Sequence, residues 1–516
     1  MTKLGPCKTV LLLCAFCAAT AIGSPAQTFK TLVSFNGTNG VLPESSLVQG
    51  IDGNVYGTTY NGGAYGYGTV FKITAEGVLT TLHSFCAENL PCPDGYGPGG
   101  LVLAADGNFY GTTAGGGAST GRGTVFEITA GGMLTTLHNF VGTDGSVPSA
   151  PLVQATDGNF YGTTNEGGVS EFCSLPPGVG CGTVFKIAAG GMLTTLYNFC
   201  DQTGCPDGYG PGGLMQATGG NFYGTTYNGG ASSYGTVFRV TIAGSLTTLH
   251  SFDGTDGAIP TGLVQSTDGS PEFYGPAEEG GIYGHGTVFK IGTGGVLTAL
   301  HNFNSTDGDF PTARVTQATS GTLWGTTGSG GTSSICGDGG CGTIFKLPSG
   351  GALTTVHNFN STDGDFPTVG VVQATDGNFY GTTSYGGTST NCGGGCGTVF
   401  RVGVEGLSPF VETLPTSGQV ETAVFILGSN LAGTTSVTFN GIPAEFTVVS
   451  STEINATVPT GATTGKVKVQ TPLGTLTSNV SFRVYLTPPP GSGADRPFET
   501  SPLPSWRTAL RQVPGG

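Results

Sequence analysis

An internal repeat is the feature that most constrains the fold of this chain. The aromatic residue of the second β-prone segment occurs seven times, at intervals of 50 to 62 positions, at Tyr56, Tyr110, Tyr161, Tyr223, Tyr274, Trp324 and Tyr380. A phenylalanine in a later segment also occurs seven times, at Phe71, Phe126, Phe185, Phe238, Phe289, Phe345 and Phe400. Each unit contains four β-prone segments separated by glycine turns, and four strands in a period of this length are typical of a β-propeller.

The phase of the repeat indicates how its ends are joined. Residues 29–35 match the fourth segment of a unit, and no first three segments precede them. The last unit has its first three segments, at 371–374, 378–383 and 397–402, but lacks a fourth. An open array would leave both fragments with unpaired strand edges, whereas a ring would pair them with each other. We therefore predict an all-β fold with a seven-bladed β-propeller over residues 27–406, closed by the N-terminal strand.

Composition agrees with short strands and excludes some partners. The 516 residues include 95 glycines, and only 9% are charged, against roughly 25% in an ordinary globular protein. Glycine adopts the positive φ angles that tight turns between strands require. The net charge of −15 excludes nucleic acid as an expected partner, because there is no basic surface to bind phosphates.

The N-terminal residues predict export. Lys3 and Lys8 precede an apolar run over 10–22, and small residues follow up to Ala26. This pattern is typical of a signal peptide, here residues 1–26. The run is too short for a comfortable membrane span. We expect bacterial-type export to a secreted or cell-surface location, with no membrane span after signal removal.

The cysteines predict disulfide bonds. Cys7, Cys14 and Cys17 lie within the predicted signal peptide. An even number of cysteines in an exported chain is typical of disulfides, and none of the close pairs has the CxxC-like spacing of a zinc site. The predicted pairs are Cys86 with Cys92, Cys173 with Cys181, Cys200 with Cys205, Cys336 with Cys341, and Cys392 with Cys396.

A different pattern begins where the repeat stops. Short alternating runs occur at 423–427, 436–439, 446–449, 453–458 and 466–470. Turn residues separate them at regular spacing, which is typical of a small β-sandwich. We predict an immunoglobulin-like domain over 407–486, followed by a flexible tail over 487–516 that contains proline and glycine.

Two segments resemble known families. The recurring phrases Asp-Gly-Asn-Phe-Tyr-Gly-Thr-Thr, Gly-Thr-Val-Phe-Lys-Ile and Leu-Thr-Thr-Leu-His-Asn-Phe, over residues 29–402, resemble the GloVer tandem repeat of bacterial surface proteins. The segment 436–441, with 462–465, resembles an IPT/TIG domain, an immunoglobulin-like module. These resemblances imply a surface protein, and neither family implies an established activity.

Antiparallel strands assign the loops to two faces. Loops after the second and fourth segments of each unit form one surface, which we call the variable face because all variation in loop length occurs there, together with the five cysteine pairs. The turns after the first and third segments form the opposite, short-turn face. Variable loops on a rigid scaffold commonly bind ligands. The candidate ligand-binding residues are Tyr65, Tyr67, Tyr96, Tyr209, Tyr234, Tyr283, His285 and Tyr385, since tyrosine combines apolar area with a hydroxyl.

The sequence contains few signs of catalysis or of a metal site. Five of the six histidines occupy the same fourth-strand position, which indicates a structural role. The adjacent carboxylates Glu278 and Glu279 are the candidates for sugar hydrolysis. We expect no cofactor. Loops rich in oxygen ligands make calcium the alternative, although turn formation alone explains these residues. The candidate calcium ligands are Asp307, Asp309, Asp363 and Asp365.

These patterns favour an exported, monomeric and non-catalytic protein that binds an extracellular glycan or protein ligand through the variable face. One alternative is a secreted carbohydrate-active enzyme, a glycosidase or lyase that uses carboxylates near the propeller face. The other is a purely structural protein of the cell envelope.

Overall fold

A computed structural model describes residues 27–87, 91–118, 121–170, 172–173 and 180–485. The predicted signal peptide and the predicted tail beyond residue 486 lie outside the described residues. Within these ranges the chain is all-β, and its one helical element is a 3₁₀ turn at Gly337–Gly339. No helix in the described part of the chain is both long enough and apolar enough to cross a membrane.

Seven antiparallel sheets, which we number 1 to 7 in chain order, correspond to the seven repeats. The first strands are Val48–Gln49, Tyr96–Pro98 with Val102–Leu103, Val153–Gln154, Tyr209–Pro211 with Met215–Gln216, Ala258–Pro260 with Val264–Gln265, Thr316–Gln317 and Val372–Gln373. The second strands are Val55–Thr59, Phe109–Gly115, Phe160–Thr164, Phe222–Asn228, Glu272–Glu279, Leu323–Thr327 and Phe379–Thr383. The third strands are Thr69–Ile73, Thr124–Ile128, Thr183–Ile187, Thr236–Val240, Thr287–Gly292, Thr343–Leu347 and Thr398–Val404. The fourth strands of sheets 1 to 6 are Leu79–Ser84, Leu134–Asn139, Leu193–Asn198, Leu246–Ser251, Leu297–Asn302 and Thr354–Asn358.

The N-terminal strand Gln27–Ser34 supplies the fourth strand of sheet 7, as the phase of the repeat predicts. It runs antiparallel to Thr398–Val404, with Gln27 opposite Val404 and Ser34 opposite Thr398. The two ends of the repeat region therefore meet within one sheet.

The Gly-Thr-Thr motif of the second strand has a packing explanation. In sheet 1, a Cβ atom on Gly57 would lie 2.7 Å from the ring of Phe71, so only glycine fits beneath the third-strand phenylalanine. The hydroxyl of Thr59 bonds to that of Thr69 at 2.8 Å, and both side chains are buried. A buried hydroxyl needs such a partner, which accounts for threonine in both strands.

Neighbouring sheets are joined by two recurring hydrogen bonds. The first threonine of the motif donates to a carbonyl of the next sheet, as in the bonds from Thr58 to Gly99 at 2.8 Å and from Thr163 to Gly212 at 2.7 Å. The glutamine that ends a first strand accepts from a backbone amide in the preceding sheet. These amide–glutamine pairs are Ala105–Gln154, Thr156–Gln216, Thr218–Gln265, Thr267–Gln317, Thr319–Gln373 and Thr375–Gln49.

Sheet 7 contacts sheet 1 through the same two bonds. The hydroxyl of Thr382 donates to the carbonyl of Pro43 at 2.8 Å, and the amide of Thr375 donates to Gln49 at 2.8 Å. Val55 of sheet 1 and Tyr380 of sheet 7 also share a buried cluster. The repeat region is therefore all-β and propeller-like.

The C-terminal domain is an immunoglobulin-like β fold. One sheet contains Glu412–Leu414, Ala423–Leu427, Glu453–Thr457 and Phe446–Val448, in that order. The other contains Ile442–Pro443, Ser436–Phe439, Val467–Thr471 and Gly474–Thr477, and a short parallel pair joins Ser417–Gly418 to Arg483–Val484. Alternate residues of these strands are buried in one apolar core between the sheets.

This domain packs against the short-turn face. The hydroxyl of Thr452 donates to the carbonyl of Ile51 at 2.9 Å, and the amide of Phe410 donates to the carbonyl of Thr375 at 3.1 Å. Ile51 and Thr375 both lie in turns between a first and a second strand. The variable face is therefore the side away from the immunoglobulin-like domain.

Sheet 2 departs from the repeat where the two domains meet. Six first strands end in glutamine, whereas that of sheet 2 ends in Leu103. Leu103 is buried in the same cluster as Leu427, against which Leu414 and Phe425 also pack. An apolar side chain at this position gives the immunoglobulin-like domain a hydrophobic contact.

Candidate functional site

Disulfide-bonded loops form part of the variable face. All five predicted disulfides are present. The loop after the second strand of one sheet accepts a backbone hydrogen bond from the segment that leads into the next sheet. The amide of Gly210 donates to the carbonyl of Cys181 at 3.0 Å, and the amide of Phe366 donates to the carbonyl of Cys341 at 3.2 Å. Each disulfide closes a single loop, with its two cysteines 4 to 8 residues apart in the sequence.

The recurring histidines hold recurring aspartates. Each Nε2 lies 2.7 to 3.0 Å from an aspartate Oδ2, in the pairs His83–Asp94, His138–Asp144, His250–Asp256, His301–Asp307 and His357–Asp363. In sheet 3 the hydroxyl of Tyr197 donates to Asp207 at 2.8 Å in the same way. These pairs connect the end of the fourth strand to the loop that follows it.

The candidate calcium ligands face different partners. Asp307 and Asp363 are held by histidines, and they also accept bonds from the backbone amides of Asn304 and Asn360. Asp309 instead lies 3.1 Å from Nδ1 of His285. Burial raises the pKa of Asp365 above its ordinary value. The two aspartates of the first loop therefore contact different histidines.

Other groupings of potential metal ligands consist mainly of cysteines. Within the described ranges these groups are Cys181, Cys200 and Cys205, and Cys336, Cys341 and Asp365. Every cysteine in them is part of a disulfide, so none offers the thiolate that binds a metal.

The candidate tyrosines divide into two groups. Tyr65, Tyr234, Tyr283 and Tyr385 have exposed fractions of 50%, 45%, 58% and 39%. Tyr67, Tyr96 and Tyr209 are half-buried and pack within the variable-face loops. The exposed group therefore offers the larger accessible ring surface.

Aromatic side chains lie at two junctions between sheets. At the junction of sheets 1 and 2, Tyr60 is 38% exposed, and Tyr67 and Tyr96 have ring centroids 6.0 Å apart. At the junction of sheets 6 and 7, the ring centroids of Phe366 and Tyr385 lie 6.3 Å apart. We call Tyr60, Tyr65, Phe366 and Tyr385 the aromatic rim. Sequence inspection did not select Phe366, because phenylalanine is an abundant core residue in this chain.

Glu278 lies at the end of a strand. It belongs to the second strand of sheet 5, Glu272–Glu279, where Pro276 and Ala277 replace the two threonines of the motif. Burial, with a smaller effect from the neighbouring Glu279 charge, raises the pKa of Glu278 above its ordinary value. Burial and the charge of Glu278 also raise the pKa of Tyr227.

A central cavity of about 1600 Å³ lies between the sheets. Segments at the first strands of all seven sheets line it, and residues of the immunoglobulin-like domain line the end at the short-turn face. Arg314 projects into this cavity from sheet 6. The sequence did carry a signal for it, because the other repeats have only small residues or proline at this position: Ser46, Gly100, Pro151, Gly213, Gly262 and Gly370.

Comparison with known proteins identifies the class and then the family. The architecture of repeated sheets and an immunoglobulin-like domain suggests a surface protein. The chain belongs to the Gloeobacter/Verrucomicrobia repeat family, whose model matches residues 20–175, 87–270, 175–337 and 210–441. Residues 409–484 match the IPT/TIG domain. No curated protein matches the sequence.

Solved structures with similar folds come from several kinds of protein. A fungal alcohol oxidase of the AA5 family, solved with copper, is 15% identical with a TM-score of 0.50, and the match covers 90% of this chain and all of that one. The extracellular domain of a putative one-component system from B. thetaiotaomicron is 12% identical with a TM-score of 0.47, and the match covers 90% of this chain and 59% of that one. A gluconolactonase from Xanthomonas campestris is 12% identical with a TM-score of 0.38, and the match covers 73% of this chain and 90% of that one. At these identities the likeness concerns the fold alone.

Proposed function

We propose that this chain is an exported, non-catalytic binding protein. It is monomeric, and its repeat region is a closed seven-bladed β-propeller. Its variable face binds an extracellular glycan or protein ligand. The observation that carries this proposal is the exposure of aromatic side chains on the face opposite the immunoglobulin-like domain.

Ring closure is supported by the equivalence of the seventh junction to the others. The bonds from Thr382 to Pro43 and from Thr375 to Gln49 repeat those between consecutive sheets. Segments from all seven sheets also line one cavity, as blades arranged around an axis would. Export is supported by the five disulfides, because disulfides persist in oxidising compartments.

Binding through the variable face is supported by its chemistry. Tyr283, which is 58% exposed, lies beside Ile282, which is 69% exposed, and Tyr65 is half exposed. Glycines flank both tyrosines in the loops. Exposed tyrosines in such loops stack on sugars or pack on protein loops at low entropic cost.

A glycan array probed with the full chain tests the proposal. We expect binding that Tyr283→Ala or Tyr65→Ala weakens about tenfold, as loss of an aromatic anchor does. Met192→Ala and Val296→Ala are the controls, because they remove apolar side chains from the short turns on the opposite face. Each of these side chains is 77% exposed, which is more than either tyrosine. These controls should leave binding unchanged. Binding that is lost in the short-turn variants and retained in the tyrosine variants would contradict the proposal.

A carbohydrate-active enzyme is the second candidate. The adjacent carboxylates Glu278 and Glu279 at the end of a strand favour it, since sugar hydrolysis uses a pair of carboxyl groups, and burial raises the pKa of Glu278. Release of reducing sugar from the bound glycans, measured in parallel, separates the two functions. Release that Glu278→Gln abolishes would establish the enzyme, whereas binding without release supports the binding protein.

A further inference from the structure

The central cavity contains a positive charge that the repeat itself does not explain. The side chain of Arg314 has no hydrogen bond or ion pair with any described residue. Its surface is exposed to the cavity, and the surrounding protein lowers its pKa by desolvation. A guanidinium carries five donors, and described residues accept from none of them. Arg314 is therefore available to an anion that enters the cavity.

The wall around Arg314 is built from small residues. A Cβ atom on Gly370 would lie 2.3 Å from the carbonyl oxygen of Arg314, so the neighbouring sheet approaches this residue closely. On the other side, a Cβ atom added to Gly262 would lie 3.6 Å from the Cβ atom of Arg314. The arginine is thus the one long side chain at this level, with open space in front of it.

The acidic residues that line the cavity do not neutralise Arg314. Asp106 accepts a bond from the hydroxyl of Tyr110 at 2.8 Å, and Asp157 is held by Lys186 at 3.1 Å. Both lie in the turns at the short-turn face. Glu421, the third acidic lining residue, belongs to the immunoglobulin-like domain. Nearer the variable face, the charge of Glu278 acts on the lining residue Tyr227, but no described residue pairs with Arg314.

Hydroxyl groups lie at the same end of the cavity. Ser149, Thr261, Thr312 and Thr368 line it together with Tyr227. The hydroxyl of Thr312 donates to the carbonyl of Thr368 at 3.3 Å, and the hydroxyl of Thr368 bonds to that of Ser384 at 2.8 Å. Each of these two threonine hydroxyls is thus held in place and keeps a lone pair that can accept from a ligand.

We propose that the central cavity binds an acidic sugar, with Arg314 holding its carboxylate and the threonine hydroxyls and Tyr227 contacting its ring. Arginine binds carboxylates through paired hydrogen bonds, and hydroxyls with one aromatic ring suit a sugar. The cavity exceeds the roughly 300–1,000 Å³ of ordinary small-molecule sites, so it holds a short acidic oligosaccharide as well as one residue. This site is separate from the aromatic rim and does not depend on what the rim binds.

Calorimetric titration of the full chain with galacturonate and with galactose tests the inference. The two sugars differ at the carboxylate, so we expect galacturonate to bind about tenfold more tightly or better, as a charged hydrogen bond provides. Arg314→Gly should abolish this preference, and Arg314→Lys should retain part of it because lysine keeps the charge without the paired geometry. Circular dichroism and the melting temperature confirm that each variant is folded.

Arg122→Gly is the matched control. It removes the same charge from a variable-face loop outside the cavity lining, at a position where sheets 3 and 7 have Gly180 and Gly395. This control and Tyr283→Ala should both leave galacturonate binding unchanged, which separates the cavity from the variable-face function. Equal affinity of the native chain for the two sugars, or a preference that survives Arg314→Gly, would overturn the inference. Acetate that competes as well as galacturonate would overturn the assignment to a sugar.

Discussion

Asp144 illustrates how a recurring polar residue is used in this molecule. Its Oδ2 accepts from Nε2 of His138 at 2.8 Å, and its Oδ1 accepts from the amide of Val141 at 2.8 Å. Both carboxylate oxygens are therefore engaged in holding the loop after the fourth strand. In sheet 3 the same role falls to Tyr197 and Asp207, so the bond persists although the histidine does not.

Replacing Asp144 should destabilise the protein more than replacing its partner. Asp144→Ala leaves the imidazole and the Val141 amide unpaired, and we expect the free energy of unfolding to fall by about 1–3 kcal/mol. His138→Tyr should cost less, because sheet 3 already makes this bond with tyrosine. Urea denaturation measures both. Asp201→Ala, at an exposed aspartate, is the control, and an Asp144→Ala midpoint equal to that of the control would contradict the pairing.

At the residue scale, the sequence was enough to identify residues that recur in several repeats, but not a residue that occurs in one repeat alone. The ten cysteines and the recurring histidines were recognised from their positions. Arg314 was not, although six small residues or prolines at equivalent positions marked it. Its surroundings depend on how seven sheets meet, and spacing within one repeat does not report that geometry. The half-buried state of Tyr67, Tyr96 and Tyr209 likewise depends on packing between loops.

At the scale of elements, the first strand of sheet 2 gives the second domain an apolar contact. Leu103 replaces the glutamine found in six sheets and is buried with Leu427. The amide–glutamine bond that joins other sheets is therefore replaced by an apolar contact with the immunoglobulin-like domain. The sequence predicted both domains but not this contact, because a single leucine in a β-prone segment is ordinary.

Leu103→Gln should loosen the docked domain. Restoring the glutamine of the other repeats removes a buried leucine contact of about 1.5–3 kcal/mol, so the undocked fraction should rise about tenfold or more. Limited proteolysis at the connection 405–411 measures this fraction as a faster cleavage rate. Gln265→Leu makes the reverse change at a sheet that does not share the Leu427 cluster, and its cleavage rate should equal that of the native chain. Equal rates in Leu103→Gln and native protein would contradict the role of Leu103.

Strand boundaries show a further limit of sequence. Four segments per repeat were predicted and found, but the first strand in sheets 2, 4 and 5 is split into two pieces. In these sheets Tyr96–Pro98, Tyr209–Pro211 and Ala258–Pro260 pair with a second strand that is longer than elsewhere. The extension depends on pairing across the sheet, which local β propensity does not fix.

At the scale of the whole molecule, the two faces differ in structure. The immunoglobulin-like domain contacts the short turns through Thr452 and Phe410. The disulfides and exposed tyrosines lie on the other side, where loops vary in length. This division follows from antiparallel topology, so the sequence could predict the faces, but only the structure shows which face the second domain covers.

The pairing of the two ends of the repeat region supports the ring, the common face and the central cavity together. Hydrogen exchange of the amides in Gln27–Ser34 tests it most directly, since exchange reports whether a strand is hydrogen-bonded. We predict protection similar to that of Leu297–Asn302, the fourth strand of sheet 5, whose pairing with Thr287–Gly292 lies within one continuous repeat. Exchange of the Gln27–Ser34 amides at the rate of an unprotected chain, with Leu297–Asn302 still protected, would contradict the closed arrangement.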